Sequence, residues 1–481
     1  MGLAHRENVF TRANQLARVV FGTKRPQFSY VDEAHPAIEI IPKPVLSEEI
    51  DAGCAFKKWN AKAKALVKVP VPDRVVSAVY EYGNYPPCIR PIVLVTRTPR
   101  FLPDGSLLTE RGYHAATGIY YHPTKDFALG EMMEVADAKA TLAAIIRDFP
   151  WKQDIHKSAF YSGVLSILGR PAYKGCTPFH LADANQAGSG KGLAWDVAAL
   201  IGLGYTLPRM TMTDQAEMKK AITACVFAGD PAFLLDNLTG TLKSEHLDAL
   251  LTSEKWKDRI LGLSKVREMD WHGIIFGTGN NLRVPRDTFR RIVYARLQSP
   301  LANPESRSDM EIKRLLAYVK QHRSRFTTAA LSILWQWHRA KRPRQKIAEW
   351  GSYEQWSDVI RQCMVWADLG DPLLTRDTLR DADFETNLLA QLIEAWEELE
   401  QVHPSEHGLT AGFAADQYKA ADENGVKFPK LRELVDELPG RDHKTELGKM
   451  LAKYRDRVCN GKCLVRSTGA RARWKVVVIP A

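Results

Sequence analysis

The sequence predicts an α/β fold, in which strands alternate with helices around a common core. An apolar run from Phe179 to Ala184 is typical of a buried strand, and a loop of small residues and an apolar helical pattern from Lys191 follow it. Two further apolar runs, 232–235 and 273–278, each lead into polar residues. The order strand, loop, helix, strand, strand favours the α/β class.

The loop after the first strand has the sequence Asn-Gln-Ala-Gly-Ser-Gly, and Lys191 follows it. Backbone N–H groups can curl around a phosphate where no Cβ intervenes, which Gly188 and Gly190 allow, and the N-terminus of a helix attracts anions. Lys191 would reach the β- and γ-phosphates of a nucleotide such as ATP. An ordinary turn is the alternative. The predicted phosphate loop consists of Asn185, Gln186, Ala187, Gly188, Ser189, Gly190, Lys191, Gly192 and Leu193.

Two residues depart from the usual phosphate-loop pattern, Gly-x-x-x-x-Gly-Lys-Ser/Thr. Asn185 replaces the first glycine, a mild change because Asn tolerates left-handed backbone angles. Gly192 replaces the hydroxyl residue that would hold Mg²⁺, so the ion would need water or another side chain as its ligand. The Gly-Lys-Gly arrangement resembles the loop of adenylate kinases.

Length and composition predict about three domains with a substantial core, since the chain has 481 residues and 45% of them are apolar. Seven cysteines, an odd number, fit reduced thiols in a cytosol better than a disulfide framework. Cys459 and Cys463 lack companion ligands for zinc. The N-terminus has no apolar signal core, and no window approaches about 18 uninterrupted apolar residues. We therefore expect a soluble cytoplasmic protein with no membrane partner.

Polar residues beside the later apolar runs are candidates for catalysis. Asp236 follows the first of these runs and is the candidate Mg²⁺ ligand, because a carboxylate at the C-terminal end of a strand can hold the ion, usually through water. Asn280 follows the second and could orient the attacking water. Arg290 and Arg291 precede the run IVYARL, from where a guanidinium could reach a neighbouring subunit's nucleotide. A turn or a solvated surface is the alternative for each.

The C-terminal segment carries most of the net positive charge. Fourteen Lys or Arg and six Asp or Glu lie between Lys427 and Lys475, an excess of eight in a chain of net charge +11. Two helical patterns, 430–438 and 443–458, precede two β-type runs, and this arrangement resembles a winged helix. A winged helix that binds protein is the alternative. Its candidate DNA contacts are Lys449, Lys453, Arg455, Arg457, Arg471 and Arg473.

Five segments, taken in order, resemble the ATPase modules of superfamily-3 and related AAA+ helicases. The likeness is nearest to the helicase halves of primase-helicases carried by phages, plasmids and integrative elements, and covers roughly residues 86–400. The segments are ANQAGSGKG, LLDNLTG, the run from Trp256 to Gly262, FGTGNN and DTFRR.

The resemblance implies an AAA+ core with a P-loop, a helical lid and a C-terminal winged helix. It divides the chain into a mixed α/β region at 1–130, an ATPase core with preceding helices at 131–300, a helical lid or collar at 301–404, and a linker with the winged helix at 405–481. Residues 1–130 carry no acidic pattern of a primase, so priming would have to come from a separate primase or polymerase.

The resemblance also implies roles for single residues. Lys191 would be the phosphate lysine, Asp236 the metal carboxylate and Asn280 the sensor, while Arg290 or Arg291 would act across a subunit boundary. Asn237 occupies the place where many AAA+ proteins have a catalytic Glu. An amide can orient water but cannot accept its proton.

A predicted hairpin lies between Asp236 and Asn280. The segment RILGLSKVREMDW predicts strands at 259–263 and 266–271 that turn at Ser264 and Lys265. The resemblance implies that such a hairpin lines a central channel and holds single-stranded DNA by its backbone. Lys265 and Arg267 are its candidate phosphate contacts, and a solvated turn is the alternative.

With what the resemblance implies, the motifs predict a hexameric helicase that hydrolyses ATP with Mg²⁺ to move along DNA during replication of a mobile element. The alternative is an ATP-gated DNA-binding initiator or loader with slow or no hydrolysis, which Gly192 and Asn237 favour. A small-molecule phosphotransferase, suggested by Gly-Lys-Gly, would explain neither Asn280 nor the arginine pair nor the basic C-terminal segment.

Overall fold

The computed structural model divides the chain into two compact units, 1–376 and 377–481. The four segments predicted above stay a prediction. The structure describes residues 8–21, 36–211, 215–259, 266–282, 284–301, 304, 307, 309–377, 384–422, 425–436, 438, 442–459, 461–467 and 472–479.

The N-terminal part of the first unit mixes short strands with helices. Its strands are β1 (Phe10–Arg12), β2 (Gln15–Val20), β3 (Ala37–Ile40), β4 (Phe56–Asn60), β5 (Ala65–Val69), β6 (Leu94–Thr96), β7 (Arg100–Phe101), β8 (Leu107–Leu108), β9 (Gly112–His114) and β10 (Ile119–Tyr121), and its helices are α1 (Lys43–Gly53) and α2 (Asp73–Glu81). The strands pair in small sheets, β1-β2-β3, β4-β5, β6-β10-β9 and β7-β8. Helices α1 and α2 begin directly after Pro42 and Pro72, whose fixed φ suits the entry to a helix.

A five-stranded parallel sheet forms the centre of the first unit, in the order β12-β13-β16-β11-β17. The strands β14 and β15 form a separate antiparallel hairpin. The predicted α/β class is therefore confirmed. The strands of this part are β11 (Phe179–Ala184), β12 (Arg209–Thr211), β13 (Ala232–Leu238), β14 (Lys255–Arg259), β15 (Val266–Asp270), β16 (Ile274–Asn280) and β17 (Ile292–Leu297).

Helices cover this sheet, and every residue of β11, which lies between β16 and β17, is buried. Such a strand must be apolar on both faces, which explains its continuous apolar run. Trp195 closes the core from the helix that follows β11, and its indole N–H donates to the Gly277 carbonyl at 2.9 Å. The helices are α3 (Val135–Ala144), α4 (Lys157–Gly169), α5 (Lys191–Gly202), α6 (Gln215–Ala228), α7 (Glu245–Leu251), α8 (Arg286–Phe289), α9 (Leu315–Gln321), α10 (Arg323–Arg339), α11 (Glu354–Trp356) and α12 (Gln362–Trp366).

The second unit has its own core, in which helices pack on a three-stranded antiparallel sheet, β20-β21-β22. The predicted pairs of helices and β-runs correspond to α15, α16, β21 and β22. Helix α13, which falls within the predicted collar at 301–404, packs in this unit: Trp396 is fully buried, and its N–H donates to the Trp474 carbonyl at 2.9 Å. The elements are α13 (Phe384–Val402), α14 (Ala411–Gln417), β18 (Ala421–Asp422), β19 (Gly425–Val426), α15 (Pro429–Asp436), α16 (His443–Lys453), β20 (Val458–Cys459), β21 (Lys462–Arg466) and β22 (Trp474–Val478).

None of the helices in the described ranges is both long enough and apolar enough to cross a membrane. Within the same ranges, no three His, Cys, Asp or Glu side chains are grouped so that they could hold a metal ion.

Candidate nucleotide site

The predicted phosphate loop joins the carboxyl end of β11 to the first residue of α5. Strand β11 has β16 on one side and β17 on the other, so the loop opens at the edge where the carboxyl ends of all five parallel strands meet, here named the carboxyl edge. Gly188 and Gly190 have φ of 73° and 90°, a region that side chains rarely adopt. Both glycines are therefore required by the turn.

Asn185 ties the start of this loop to the segment after β17. Its amide N–H donates to the Ser299 carbonyl at 2.9 Å, and its Oδ1 accepts the Ser299 N–H at 3.1 Å. Asn281 adds a bond from its side-chain amide to the Asn185 carbonyl at 3.3 Å. A glycine at position 185 would lose the two side-chain bonds, so the departure from the usual pattern has a structural reason.

Lys191 and Asn280, which were predicted from separate motifs, are in direct contact. The Lys191 Nζ donates to Asn280 Oδ1 at 2.7 Å and to the Gln186 carbonyl at 3.3 Å. Burial lowers the pKa of Lys191, and the carboxylates of Asp183 and Asp236 offset part of that effect. An ammonium group has three donors, so one remains for an anion in the loop.

Asp236 lies at an irregularity in the pairing of β13 with β16, between Leu235 and Leu238. Its Oδ1 accepts the Thr278 hydroxyl and the Asn237 N–H, the latter at 3.1 Å. Bulges of this kind often re-aim side chains beside active sites.

Asn237 is exposed and has a φ of 56°. Asn adopts this left-handed region more readily than most residues. A Glu at this position would therefore strain the backbone, which gives a physical reason for the Asn.

Arg209, at the start of β12, is a residue that the sequence did not point to. Its guanidinium bridges two buried carboxylates, with Nη1 at 2.7 Å from Asp236 Oδ2 and Nη2 at 2.5 Å from Asp196 Oδ2. Burial alone would raise the pKa of Asp236, but the hydrogen bonds from Thr278 and Arg209 outweigh burial and hold that pKa below its ordinary value.

The same guanidinium lies over Gly192. A Cβ at this position would stand 3.0 Å from Arg209 Nη1 and 3.3 Å from Nη2. The missing hydroxyl and the arginine are therefore linked, because the glycine leaves the space that the guanidinium fills.

The residues in this arrangement do not fit a bound Mg²⁺. The ion takes oxygen ligands in octahedral geometry. Gly192 supplies no side-chain oxygen, and both oxygens of Asp236 accept hydrogen bonds from the protein. A positive side chain, Arg209, neutralises Asp236 instead. The expected Mg²⁺ stays a prediction, and it would require Arg209 to release the carboxylate.

A second buried ion pair lies beside the loop at the end of β17. Arg296 pairs with Asp183 of β11, which also accepts the Tyr294 hydroxyl at 2.9 Å. The other Nη of Arg296 donates to Asn281 Oδ1 at 2.7 Å. Arg296 therefore brings a second guanidinium to the carboxyl edge.

Arg290 and Arg291 lie at the opposite, amino edge of the sheet, where the Phe179 N–H donates to the Arg291 carbonyl at 2.9 Å. Six residues of β11 separate this edge from the loop, or about 20 Å at the rise of a strand. Neither arginine can therefore serve the phosphate loop of its own chain.

The two arginines differ in their surroundings. Arg291 is paired with Asp248 at 2.9 Å and is largely buried. Arg290 is exposed, and its carbonyl accepts bonds from Trp350 and Arg376 at 2.8 and 2.9 Å, which fix the backbone beneath it. Arg290 is therefore the better candidate to reach another subunit.

A hairpin lies where the sequence predicts one, and its first strand begins earlier than expected. Strand β14 spans Lys255–Arg259, whereas the prediction was 259–263; residues 260–265, with Lys265 among them, lie outside the described residues. Arg267 donates to the Ala13 carbonyl at 3.4 Å and is partly buried. This contact directs Arg267 toward the N-terminal strands.

Four of the predicted C-terminal DNA contacts are exposed together at the end of α16 and in the turn after it. Lys449 pairs with Glu446 at 2.7 Å, and Arg455 pairs with Asp456 at 2.8 Å. Arg473 is also exposed, while Arg471 lies outside the described residues. The name basic surface is used below for Lys449, Lys453, Arg455 and Arg457.

Five residues of the site were missed by sequence reasoning. The sequence could have pointed to two of them, because Asp183 and Thr278 are polar residues within mainly apolar strands. The others come from strands or helices that only the sheet order brings together. The missed residues are Asp183, Asp196, Arg209, Thr278 and Arg296.

Comparison with known proteins adds little to this geometry. No protein-family model matches the chain, and no curated protein matches it. The A form apo structure of the NrS-1 C-terminal region is 12% identical with a TM-score of 0.39, and the match covers 90% of this chain and 98% of that chain. A second structure of that region is 10% identical with the same TM-score, covering 90% and 99%. Likeness at this level carries no conclusion about activity.

Proposed function

We propose that the chain is an ATP-driven DNA helicase of the AAA+ type, active as a hexamer in the replication of a mobile genetic element. The observation that carries the proposal is the meeting of Lys191, Asp236 and Asn280 at the carboxyl edge. These residues come from three separate segments. Open α/β sheets bind ligands at this edge, in the crevice beside the point where the strand order reverses.

The chemistry of each group suits phosphoryl transfer. The N–H groups of the loop and the helix N-terminus would hold the phosphates, and Lys191 would neutralise the terminal ones. Asn280 would orient the attacking water through its amide. Mg²⁺ would arrive with ATP, and Asp236 could ligate it only after Arg209 releases the carboxylate.

A ring explains the position of Arg290. The residue is exposed at the amino edge and cannot reach its own loop, so a neighbouring subunit's nucleotide is the site where its charge would be useful. An arginine supplied by another subunit stabilises the charge of the transition state. This is the main structural support for an oligomer.

DNA would be held at two places. Single-stranded DNA would pass the hairpin formed by β14 and β15, and duplex DNA would contact the basic surface of the second unit, acting as a winged helix. A separate primase or polymerase would supply primers.

The alternative function is an ATP-gated initiator or loader with slow or no hydrolysis. Asn237 favours it, because the left-handed backbone at this position disfavours the Glu that would act as a general base. The Arg209 bridge favours it as well, since it must open before Asp236 can serve the nucleotide.

Three measurements on the full chain test the proposal: ATP turnover with and without single-stranded DNA, strand separation, and molecular size with ATP and DNA. A helicase gives DNA-stimulated turnover, strand separation and a ring. An initiator gives a ring with little turnover. A monomer under all conditions would contradict both and would favour a small-molecule phosphotransferase.

A further inference from the structure

The N-terminal hairpin formed by β4 and β5 is a strongly basic and exposed feature of the first unit. Its two strands form a sheet of their own. The segment from Phe56 to Val69, named here the lysine hairpin, contains five lysines, and no Asp or Glu occurs between positions 52 and 72. All five lysines are exposed, namely Lys57, Lys58, Lys62, Lys64 and Lys68.

The register of the lysine hairpin sorts its side chains by face. Lys57 lies opposite Lys68, and Trp59 lies opposite Leu66. Alternate residues of a strand share a face, so these four side chains lie on one side of the hairpin. Trp59 and Leu66 are each 60% exposed. The other side carries Phe56, which packs against the N-terminal core.

Two features of this outward face are energetically unfavourable, and no described residue compensates for them. Like charges directly opposite each other on neighbouring strands repel, which applies to Lys57 and Lys68. A large aromatic ring, Trp59, is left in water. Among the described residues, no carboxylate forms an ion pair with any of the five lysines.

The turn of the hairpin is ordered by its own hydrogen bonds. Asn60 Oδ1 accepts the N–H groups of Lys62 at 2.9 Å and Ala63 at 3.1 Å. These bonds order the backbone of the turn from which Lys62 extends.

We propose that the outward face of the lysine hairpin binds single-stranded DNA, with phosphates at Lys57 and Lys68 and an unstacked base on Trp59. Lysines neutralise phosphates, and exposed aromatic rings stack bases without regard to sequence. A free phosphate would need no aromatic ring, and a duplex keeps its bases stacked inside. The site is additional to those of the proposed function and does not depend on ATP.

The test measures binding of a labelled oligothymidine of about 20 nucleotides by the full chain, without nucleotide, from about 50 to 200 mM salt. Trp59→Ala is expected to weaken binding by about 5- to 150-fold, the value of one stacked base, and to leave the salt dependence unchanged. Lys57→Gln with Lys68→Gln is expected to reduce the slope of log K against log salt by about 1.4.

Matched variants separate this site from general charge effects. Lys125→Gln with Lys313→Gln removes the same charge from exposed positions elsewhere in the first unit and should change the slope much less. Trp59→Phe should retain most of the affinity. The same substitutions are also made in a chain whose basic surface is neutralised, so that DNA binding by the second unit does not mask their effect on oligothymidine binding.

Two results would overturn the proposal. One is oligothymidine binding that is the same in Trp59→Ala, in the lysine pair and in the control. The other is loss of binding to anionic vesicles or to an acidic peptide in these variants while oligothymidine binding stays intact. Lys191→Ala distinguishes the two proposals, because it should weaken ATP binding and abolish ATP turnover but leave oligothymidine binding by the hairpin unchanged.

Discussion

The carboxyl edge of the sheet and the basic surface of the second unit hold their positive charges in opposite ways. At the carboxyl edge, Lys191, Arg209 and Arg296 each contact a specific amide or carboxylate. On the basic surface, Lys449 and Arg455 form exposed ion pairs with Glu446 and Asp456, which are close to them in the sequence.

This difference between the carboxyl edge and the basic surface determines how a ligand would bind to each of them. At the carboxyl edge the cations are already oriented, and a ligand exchanges one fixed partner for another. On the basic surface the side chains are exposed to solvent, so a polyanion is attracted by the number of charges and not by their geometry. Single substitutions should therefore act strongly at the edge and weakly on the surface.

The largest effect that leaves ATP affinity unchanged is expected at the amino edge, where a neighbouring subunit would complete the site. Arg290→Ala should lower ATP turnover about 10³-fold or more without changing ATP affinity, since the guanidinium acts on the transition state. Mixing Arg290→Ala with Lys191→Ala subunits should restore part of the turnover, because a mixed interface can combine an intact loop with an intact arginine. Arg291→Ala serves as the comparison, and it should instead lower stability by breaking the pair with Asp248. Mixed rings with no recovery would place Arg290 outside catalysis.

The next effect concerns Lys191 itself. Lys191→Ala should weaken ATP binding by about 10- to 150-fold, the value of a charge-assisted hydrogen bond, and should abolish turnover. Titration with a fluorescent ATP analogue measures the affinity, and thermal melting shows that the fold is retained. The exposed Lys313 provides the control, as Lys313→Ala should bind ATP like the unaltered chain. Equal affinity of both variants would contradict the assignment of the loop.

A smaller and graded effect is expected on the basic surface. Neutralising all four residues to Gln should reduce the salt slope of duplex binding by about 3 to 4, whereas each single change should remove about 0.9. The measurement is duplex affinity over a series of salt concentrations. A single variant that abolishes binding would show that this surface, too, relies on one fixed contact.

The smallest effect is on stability in acid, and it concerns two buried histidines of the first unit. His180 and His156 are fully buried, and burial lowers the pKa of His180 to about 3 and that of His156 to about 4. Both are neutral when folded and take up protons on unfolding, so the free energy of unfolding falls as pH drops below about 6.5. Each contributes up to about 1.4 kcal/mol per pH unit. Urea unfolding at several pH values measures the slope, which His180→Gln should roughly halve; an unchanged slope would exclude His180 as its source.

How far the sequence predicts this molecule depends on the range of the interactions involved. The strand, loop and helix around Lys191 follow from local periodicity and glycines, and Asp236 and Asn280 follow because polar residues at the ends of parallel strands share one edge. Arg209 could not be predicted in this way. Its partner Asp196 lies 13 residues earlier in the chain, and its partner Asp236 lies 27 residues later. Only the order of the strands brings the three residues together.

Local sequence patterns also do not show which of the two units a helix packs in. The amphipathic pattern of α13 shows that one face of the helix is buried, but not which core buries it. The structure packs Trp396 with Trp474, almost 80 residues later in the chain, so the core of the second unit buries this helix. The start of β14 was missed because its sequence, Lys-Trp-Lys-Asp-Arg, carries only one apolar residue.

The closeness of Gly192 to Arg209 makes these two positions interdependent under mutation. Adding a serine at 192 alone would force its Cβ against the guanidinium, while removing Arg209 alone would leave two buried carboxylates facing each other without a counter-charge. Each single change should therefore be harmful, and the pair together less harmful than their sum. A chain with this site could acquire the usual loop hydroxyl only by crossing a less stable intermediate, which helps to keep the glycine and the arginine in place as a pair.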